Sequence, residues 1–271
     1  MSLEVAAMLD VARAAVARGC ELLRTAGPGE VRSKDDRDFV TDLDVRIQNT
    51  VRQYLENAAA GVDFLGEEAD GTDTAGGSRY RWILDPIDGT SNFIHGLPLC
   101  AVSLALTCDD VPIVGVIGAP FLSLEYHAST GEGAFCNGRR ITASATKTLS
   151  NAIVSIGDYA VGAGAAAKNQ RRLAVTAALA EQVERVRMLG SAALDLVWVA
   201  EGRIDACVLL SNNPWDVAAG VLLAREAGAV VADSDGSNHT LTSAHTVAAN
   251  PQISDALLKL LAATDPLPDQ G

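Results

Sequence analysis

The spacing of hydrophobic positions changes along the chain and outlines its elements. Apolar residues recur at helical spacing over residues 3–24, and a second helix is predicted from Thr41 or Asp42 to about residue 60. Between residues 99 and 135, short apolar runs alternate with turn residues, which is typical of an antiparallel sheet. After about residue 150, predicted strands alternate with predicted helices.

This change of pattern predicts two closely packed parts. A chain of 271 residues, 48% of them hydrophobic, is long enough for one large domain or two lobes. We expect an N-terminal α+β lobe at residues 1–145 and a C-terminal α/β lobe at residues 146–271.

The net charge argues against certain binding partners, and the cysteines argue against a disulfide-stabilised fold. The formal charge of −13 argues against nucleic acid or an anionic membrane surface as the main partner, because both require a basic surface. The five cysteines are scattered and contain no Cys-x-x-Cys pair, which argues against a disulfide framework. With no basic segment followed by an apolar run at the N-terminus and no apolar stretch of membrane-spanning length, we expect a cytoplasmic protein.

The most informative segment is residues 82–90, which read Trp-Ile-Leu-Asp-Pro-Ile-Asp-Gly-Thr. Two carboxylates, Asp85 and Asp88, stand three residues apart at the end of an apolar strand. Gly89 permits a tight approach of the backbone, and Thr90 is placed to begin a helix. The backbone N–H groups at such a helix start favour an anion such as phosphate.

Further acidic residues follow or precede apolar segments in the same way. Asp44 lies near a predicted helix start, Glu67 and Glu68 follow a short predicted strand, and Asp216 lies in a predicted first helical turn. Taken singly, such acids are common helix caps. Carboxylates that converge raise one another's pKa unless cations lie between them, and Mg²⁺ is the natural partner of oxygen ligands.

These motifs resemble those of the inositol monophosphatase family, which are lithium-sensitive, Mg²⁺-dependent phosphatases, over about residues 5–263. The motifs are Asp38-Phe-Val-Thr-x-x-Asp44, Gly66-Glu67-Glu68, residues 82–90 with Asn92-Phe93-x-His95, Gly131-x-Gly133-Ala-Phe-x-Asn137-Gly138, Gly190-Ser-Ala-Ala-Leu194 and Trp215-Asp216-x-Ala218-Ala219. The resemblance implies a layered α-β-α-β-α fold and a homodimer. It also implies hydrolysis of a small phosphate monoester, first of all inositol 1-phosphate, with two or three Mg²⁺ ions or Mn²⁺ in their place.

The resemblance also assigns roles to residues. The implied metal ligands are Glu67, Asp85, the Ile87 carbonyl, Asp88 and Asp216, so the N-terminal lobe would carry most of them. Glu67 and Thr90 would orient and deprotonate the attacking water, with Asp44 as a second candidate for its activation. The implied substrate-binding residues are Asp88, Gly89, Thr90, Gly190, Ser191, Ala192 and the position of Leu209. Lys34 either corresponds to a lysine of the family or is a solvated surface residue.

Leu209 departs from the pattern of the inositol-specific members. They carry a glutamate seven residues before the Trp-Asp aspartate, and it binds sugar hydroxyls. Its absence weakens the case for an inositol phosphate, and Asn212 or Asn213 could contact the substrate instead, although loop asparagines commonly form turns. Histidinol phosphate, fructose 1,6-bisphosphate, other sugar phosphates and a nucleotide 3′-phosphate therefore stay open as substrates.

Three other classes stay open. One is a non-catalytic family member that binds metal or phosphate. Another is a phosphatase that forms an aspartyl-phosphate, although the spacing of Asp85 and Asp88 differs from that motif by one residue. The third is a glycosidase that uses a carboxylate pair and needs no Mg²⁺.

Overall fold

The computed structural model describes residues 4–35, 38–68 and 77–264. The helices in this part are α1 (Val5–Thr25), α2 (Asp42–Ala58), α3 (Thr90–Ile94), α4 (Ala165–Gln182), α5 (Ala192–Ala200), α6 (Pro214–Glu226) and α7 (Ser254–Ala262). The strands are β1 (Val31–Asp35), β2 (Asp38–Thr41), β3 (Asp63–Gly66), β4 (Tyr80–Asp88), β5 (Ala101–Cys108), β6 (Val111–Ala119), β7 (Leu124–Ser129), β8 (Gly133–Cys136), β9 (Arg139–Ile141), β10 (Ile153–Ile156), β11 (Arg185–Arg187), β12 (Ala206–Leu209), β13 (Val230–Ala232) and β14 (Thr246–Ala249).

The larger sheet has seven strands in the order β3-β4-β5-β6-β7-β8-β9. β3 and β4 are parallel, and the remaining neighbours are antiparallel. The antiparallel sheet predicted for residues 99–135 is therefore confirmed. Because β3 and β4 run in the same direction, their carboxyl ends lie side by side, with Gly66 opposite Leu84.

The smaller sheet has five strands in the order β11-β10-β12-β14-β13. β10 is parallel to both β11 and β12, whereas β14 is antiparallel to β12 and β13. The parallel pair follows from the helices that connect these strands, as the alternating pattern after residue 150 predicted.

Apolar side chains divide the molecule into five layers. α1 and α2 pack on one face of the seven-stranded sheet. α5 and α6 pack on its other face and also against the five-stranded sheet, whose outer face is covered by α4 and α7. The α-β-α-β-α arrangement is confirmed. Since α5 and α6 contact both sheets, the division between residues 145 and 146 stays a prediction.

Two features differ from the pattern of the sequence. β4 continues past Leu84 to Asp88, because the register against β5 shifts between Asp85 and Asp88 and this irregularity accommodates Pro86. β1 and β2 form a polar antiparallel hairpin without apolar alternation, so periodicity does not reveal it. Within the described ranges, no helix is both long and apolar enough to cross a membrane.

Candidate active site

Four acidic residues lie where strands of the larger sheet end and helices begin. Glu67 follows β3, Asp85 and Asp88 occupy the end of β4, and Asp216 lies in the first turn of α6. Asp85 and Asp88 are only 3% and 6% exposed. Burying several carboxylates close together costs free energy unless hydrogen bonds, bound protons or cations compensate their charge.

The turn after β3 is held by Gln48 of α2, for which the sequence suggested no role. Its amide nitrogen donates to the Glu68 carbonyl at 2.7 Å, and its amide oxygen accepts from the Glu68 N–H at 3.0 Å. A Cβ atom on Gly66 would lie 2.1 Å from that amide oxygen, so a side chain there would displace Gln48 from these hydrogen bonds. Gln48 and Gly66 together therefore orient Glu67 and Glu68 relative to β4.

Lys34 of β1 is partly exposed, and its ammonium lies at the site. Its ammonium donates to Glu67 Oε1 at 2.9 Å and to Glu68 Oε1 at 2.6 Å. Burial lowers the pKa of Lys34, but Glu67 and Glu68 raise it more, so the ammonium stays charged. One cation of the protein itself thus partly neutralises the acidic cluster.

Asp85 is buried next to other acidic residues. Burial raises its pKa well above the usual value, and the charges of Glu67 and Asp88 raise it further. Its Oδ1 atom is buried and has no hydrogen-bond partner. A buried carboxylate oxygen without a donor is the feature that a bound cation would satisfy.

Asp88 connects the larger sheet to α5. Its carboxylate accepts hydrogen bonds from the Ser191 hydroxyl and from the N–H groups of Ala192 and Ala193, both at 3.1 Å. Burial raises the pKa of Asp88 to about 7, although these hydrogen bonds oppose the rise. Ser191 also caps α5 by accepting from the Leu194 N–H at 3.2 Å.

Asp216 is held at the start of α6. Its Oδ2 atom accepts from the Asn213 N–H at 2.6 Å. Burial raises its pKa to about 6; the Asn213 N–H opposes that rise and the charge of Glu67 adds to it. The carboxylate therefore serves as a helix cap and belongs to the same electrostatic cluster.

Asp44 and Thr90 form a separate pair beside the cluster. The Asp44 Oδ2 atom accepts from the N–H of Thr41 at 2.8 Å, and its Oδ1 atom lies 3.3 Å from the Thr90 hydroxyl. That hydroxyl also lies 2.8 Å from the Ile87 carbonyl, one of the predicted metal ligands. Burial raises the pKa of Asp44 despite the hydrogen bonds from Thr41, which favours a role as a base.

The loops on either side of the site approach each other closely. Gly89 has φ of 85°, and a Cβ atom there would lie 2.7 Å from the Leu99 carbonyl oxygen. The Asn92 amide donates to the carbonyls of Leu99 at 2.7 Å and Leu189 at 2.8 Å. Asn92 thereby ties α3 to the segment that carries Gly190, Ser191 and Ala192, a role that its place in the motif did not reveal.

The side chains of Leu209 and Asn212 contact other parts of the protein. Leu209 is 3% exposed and lies in an apolar cluster with Cys207 and Val217, so it offers no polar group. The Asn212 amide donates to the Ser243 carbonyl at 2.9 Å, and its oxygen accepts from the Thr246 hydroxyl at 2.9 Å. Asn212 is therefore occupied within the protein.

The candidate ligands are of the chemical type that a hard cation prefers. Their side chains, however, are not arranged as a coordination shell. All candidate ligands supply oxygen, and the orphaned Asp85 oxygen lies among them. In the part of the chain that the structure describes, no three His, Cys, Asp or Glu side chains are close enough together to hold a metal ion. Asp88 and Asp216 already accept hydrogen bonds from Ser191 and Asn213, and each carboxylate keeps further lone pairs for an ion.

The chain is similar to known proteins over nearly its whole length. Residues 4–265 match the model of the inositol monophosphatase family. The chain is 38% identical over 260 residues to an inositol-1-monophosphatase of Mesorhizobium japonicum, covering 93% of this chain and 95% of the relative. It is also 38% identical over 229 residues to a Pseudomonas aeruginosa protein named Nus factor SuhB, covering 84% of each. The structure of the Thermotoga maritima IMPase TM1415 matches 95% of this chain and 97% of its own, with a TM-score of 0.86 and 31% identity.

Proposed function

Because the chain belongs to the inositol monophosphatase family and is a phosphatase, we propose that it hydrolyses a small phosphate monoester with Mg²⁺, with inositol 1-phosphate as the first substrate to test. The observation that carries this proposal is the group of acids at the ends of β3 and β4, with a buried and unpartnered oxygen on Asp85. The N-terminal lobe, residues 1–145, would supply most of the metal ligands, and residues 146–271 the last ligand and the substrate-lining segment.

The proposed metal ligands are Glu67, Asp85, the Ile87 carbonyl, Asp88 and Asp216, for two or three Mg²⁺ ions or for Mn²⁺. When bound, the ions would lower the pKa of a water molecule and neutralise charge on the phosphate and the leaving oxygen. The raised pKa values of Asp85, Asp88 and Asp216 support this assignment, because a cation removes the repulsion that contributes to them.

The attacking water would be oriented by Thr90 and would lose its proton toward an acidic residue. Asp44 is the better supported acceptor, since its Oδ1 atom lies 3.3 Å from the Thr90 hydroxyl and burial raises its pKa. Glu67 stays the alternative base. Among the described contacts, however, its Oε1 atom receives a hydrogen bond from Lys34, and no hydrogen bond joins it to Thr90.

The phosphate and the rest of the substrate would lie between α3 and α5. We assign the phosphate to the N–H groups of Gly89 and Thr90. Gly190, Ser191 and Ala192 would line the alcohol part of the substrate, and Asp88 would accept from one of its hydroxyls. Asn92 supports this arrangement because it holds residue 189, next to this segment, against α3.

We also propose a homodimer and a cytoplasmic location. Leu97, Phe121 and Met188 are exposed apolar residues around α3, where Phe121 stacks on Phe93 with ring centroids 6.4 Å apart. A second copy that covers this patch would remove apolar surface from water next to the site. The location is supported by the five cysteines, all of which are free.

The test is phosphate release from inositol 1-phosphate, histidinol phosphate, fructose 1,6-bisphosphate, glycerol 2-phosphate and adenosine 3′,5′-bisphosphate, each with Mg²⁺ and with EDTA. Asp85→Asn should lower kcat about 10³-fold or more without unfolding the protein. Asp235→Asn makes the same chemical change at an exposed residue and should leave kcat unchanged. Full activity in EDTA, or a normal kcat for Asp85→Asn, would contradict the proposal, and metal binding without any turnover would favour a binding protein.

A further inference from the structure

The loop that joins β12 to α6, residues 210–213, holds the proposed metal ligand Asp216 in place. Asn213, the last residue of this loop, donates its N–H to Asp216 Oδ2 at 2.6 Å. Its carbonyl accepts from the Asp216 N–H at 3.2 Å. The position of the Asp216 carboxylate therefore depends on how the loop itself is held.

The preceding residue, Asn212, fastens the loop to the end of the smaller sheet. Its amide nitrogen donates to the Ser243 carbonyl at 2.9 Å, which fixes the orientation of the amide, and its oxygen accepts from the Thr246 hydroxyl at 2.9 Å. Thr246 is the first residue of β14, is fully buried and lies opposite Leu209, the last residue of β12. Its hydroxyl thus joins the sheet to the residue next to Asn213.

His239 completes this chain of hydrogen bonds, and its protonation state follows from the contacts. The Thr246 hydroxyl has one hydrogen, which it donates to Asn212, so at 2.8 Å it accepts from the Nε2–H of His239. The Nδ1 atom of His239 is buried without a hydrogen-bond partner among the described residues. Burial and the charge of Arg225 lower the pKa of His239 to about 4, so the imidazole is neutral and carries its proton on Nε2.

The chain of hydrogen bonds begins and ends at α6. Arg225, in the last turn of this helix, donates to the His239 carbonyl at 2.8 Å. His239 reaches Thr246, and Thr246 reaches Asn212, two residues before the helix begins. Both His239 and Thr246 are buried. Because a buried polar group that loses its partner costs free energy, these contacts favour one position of the loop.

We propose that Thr246 is a positioning residue for Asp216, and that its hydroxyl strengthens the binding of Mg²⁺ by holding the loop of residues 210–213. The inference rests on the proposed function, because it takes Asp216 as a metal ligand. A ligand that is held in place before the ion arrives loses less conformational freedom on binding it. Thr246 acts through Asn212 and Asn213, and His239 supports it by donating to the same hydroxyl.

The test compares variants of two buried threonines. Thr246→Val replaces the hydroxyl with a methyl group and leaves the Asn212 oxygen and the His239 Nε2–H without a partner, whereas Thr246→Ser keeps the hydroxyl. Thr107→Val is the control for a general loss of stability. Thr107 is equally buried, and its hydroxyl donates to the Arg81 carbonyl at 3.2 Å near the start of β4, at the end of that strand away from the site.

Two measurements on the protein without substrate report on the loop. In calorimetric titrations, Thr246→Val should raise the Kd for Mg²⁺ about 3- to 10-fold, as expected for the loss of one hydrogen bond, while Thr246→Ser and Thr107→Val should leave it unchanged. In EDTA, the Asn213 amide should exchange its hydrogen faster in Thr246→Val than in Thr107→Val. In phosphate-release assays, kcat of Thr246→Val at saturating Mg²⁺ should stay unchanged, because excess ion compensates for the weaker site.

Several outcomes would overturn the inference. They are an unchanged Kd in Thr246→Val, an equal rise in Thr107→Val, and a Thr246→Ser variant as weak as Thr246→Val. If Thr246→Val does not fold, Asn212→Ala changes only a partly exposed residue of the same chain and should raise the Kd by a similar factor; an unchanged Kd there would also overturn the inference. Mg²⁺ binding that depends on Thr246, together with no phosphate release from any ester, would refute the proposed phosphatase reaction and leave the positioning role intact.

Discussion

In the absence of divalent cations, raising the pH should lower the free energy of unfolding, because the buried carboxylates must then lose their protons in the folded protein. The pKa of Asp88 rises from the usual 3.8 to about 7 on folding, chiefly because of burial. A group with a raised pKa in the folded state contributes stability that is complete below pH 3.8 and is lost as the pH rises through about 7. In that interval the unfolded chain has released a proton that the folded protein still holds.

The size of the effect follows from the same numbers. A difference of about 3 pH units, at about 1.4 kcal/mol each, corresponds to on the order of 4 kcal/mol for Asp88. That is a large fraction of the stability of an ordinary domain, about 5–15 kcal/mol. Asp216, whose pKa rises to about 6, adds an effect of the same sign.

A matched variant isolates Asp88 from other groups that titrate in this range. Burial lowers the pKa of His239 to about 4, so His239 makes the protein less stable as the pH falls below 6.5 and opposes the carboxylates. Asp88→Asn removes one titrating carboxylate and keeps His239, Asp85 and Asp216. The difference in stability between the two proteins, followed from pH 4 to pH 8, therefore reports on Asp88.

The assay is urea unfolding in EDTA at half-unit pH steps, followed by circular dichroism. The stability of the unmodified protein relative to Asp88→Asn should fall by several kcal/mol between pH 4 and pH 8. Saturating Mg²⁺ should restore stability at pH 8 by about 2.7 kcal/mol at a hundredfold excess over Kd, and much less at pH 4, where the ligands hold protons. A difference that stays constant with pH, or that grows in favour of the unmodified protein, would refute the reasoning.

Two substitutions test other parts of the site. Lys34→Met removes the ammonium beside Glu67 and Glu68, so Mg²⁺ should bind on the order of tenfold more tightly in calorimetric titrations, with exposed Lys147→Met as control; weaker binding would mean that Lys34 orients the ligands. Leu209→Glu should lower the free energy of unfolding by about 2–4 kcal/mol, because it buries a carboxylate among apolar side chains, whereas Leu209→Met should cost less than about 1.5 kcal/mol. A fully stable Leu209→Glu would show that this side chain can turn toward the substrate cleft.

The helices and the antiparallel sheet could be predicted from the sequence because their signals are local. α1 and α2 begin and end within a few residues of the predicted bounds, since apolar spacing marks both and the cap Thr41 marks the start of α2. β11, by contrast, has three residues, two of them exposed arginines. Its pairing with β10 is parallel and long-range, so nothing in its own pattern indicates a strand.

The same distinction holds for the candidate site. Its acids stand in contiguous motifs, so their residue types and spacing are visible in one dimension. Gln48 contacts a residue 20 positions away and Asn92 one 97 positions away. The residues next to each of them in the sequence are ordinary polar residues and do not indicate these contacts. Only the folded structure reveals them.

Asp88 is one of the residues that join the two halves of the chain. Its backbone belongs to β4 of the larger sheet, whereas the donors to its carboxylate belong to Ser191 and α5, which packs on the smaller sheet. If a cation binds Asp88, it binds the same carboxylate that holds these donors in place. Metal affinity and the position of the segment from Gly190 to Ala192 are then linked, because a change in either free energy must appear in the other. Substrate that contacts this segment should therefore bind metal-loaded and metal-free protein with different affinities.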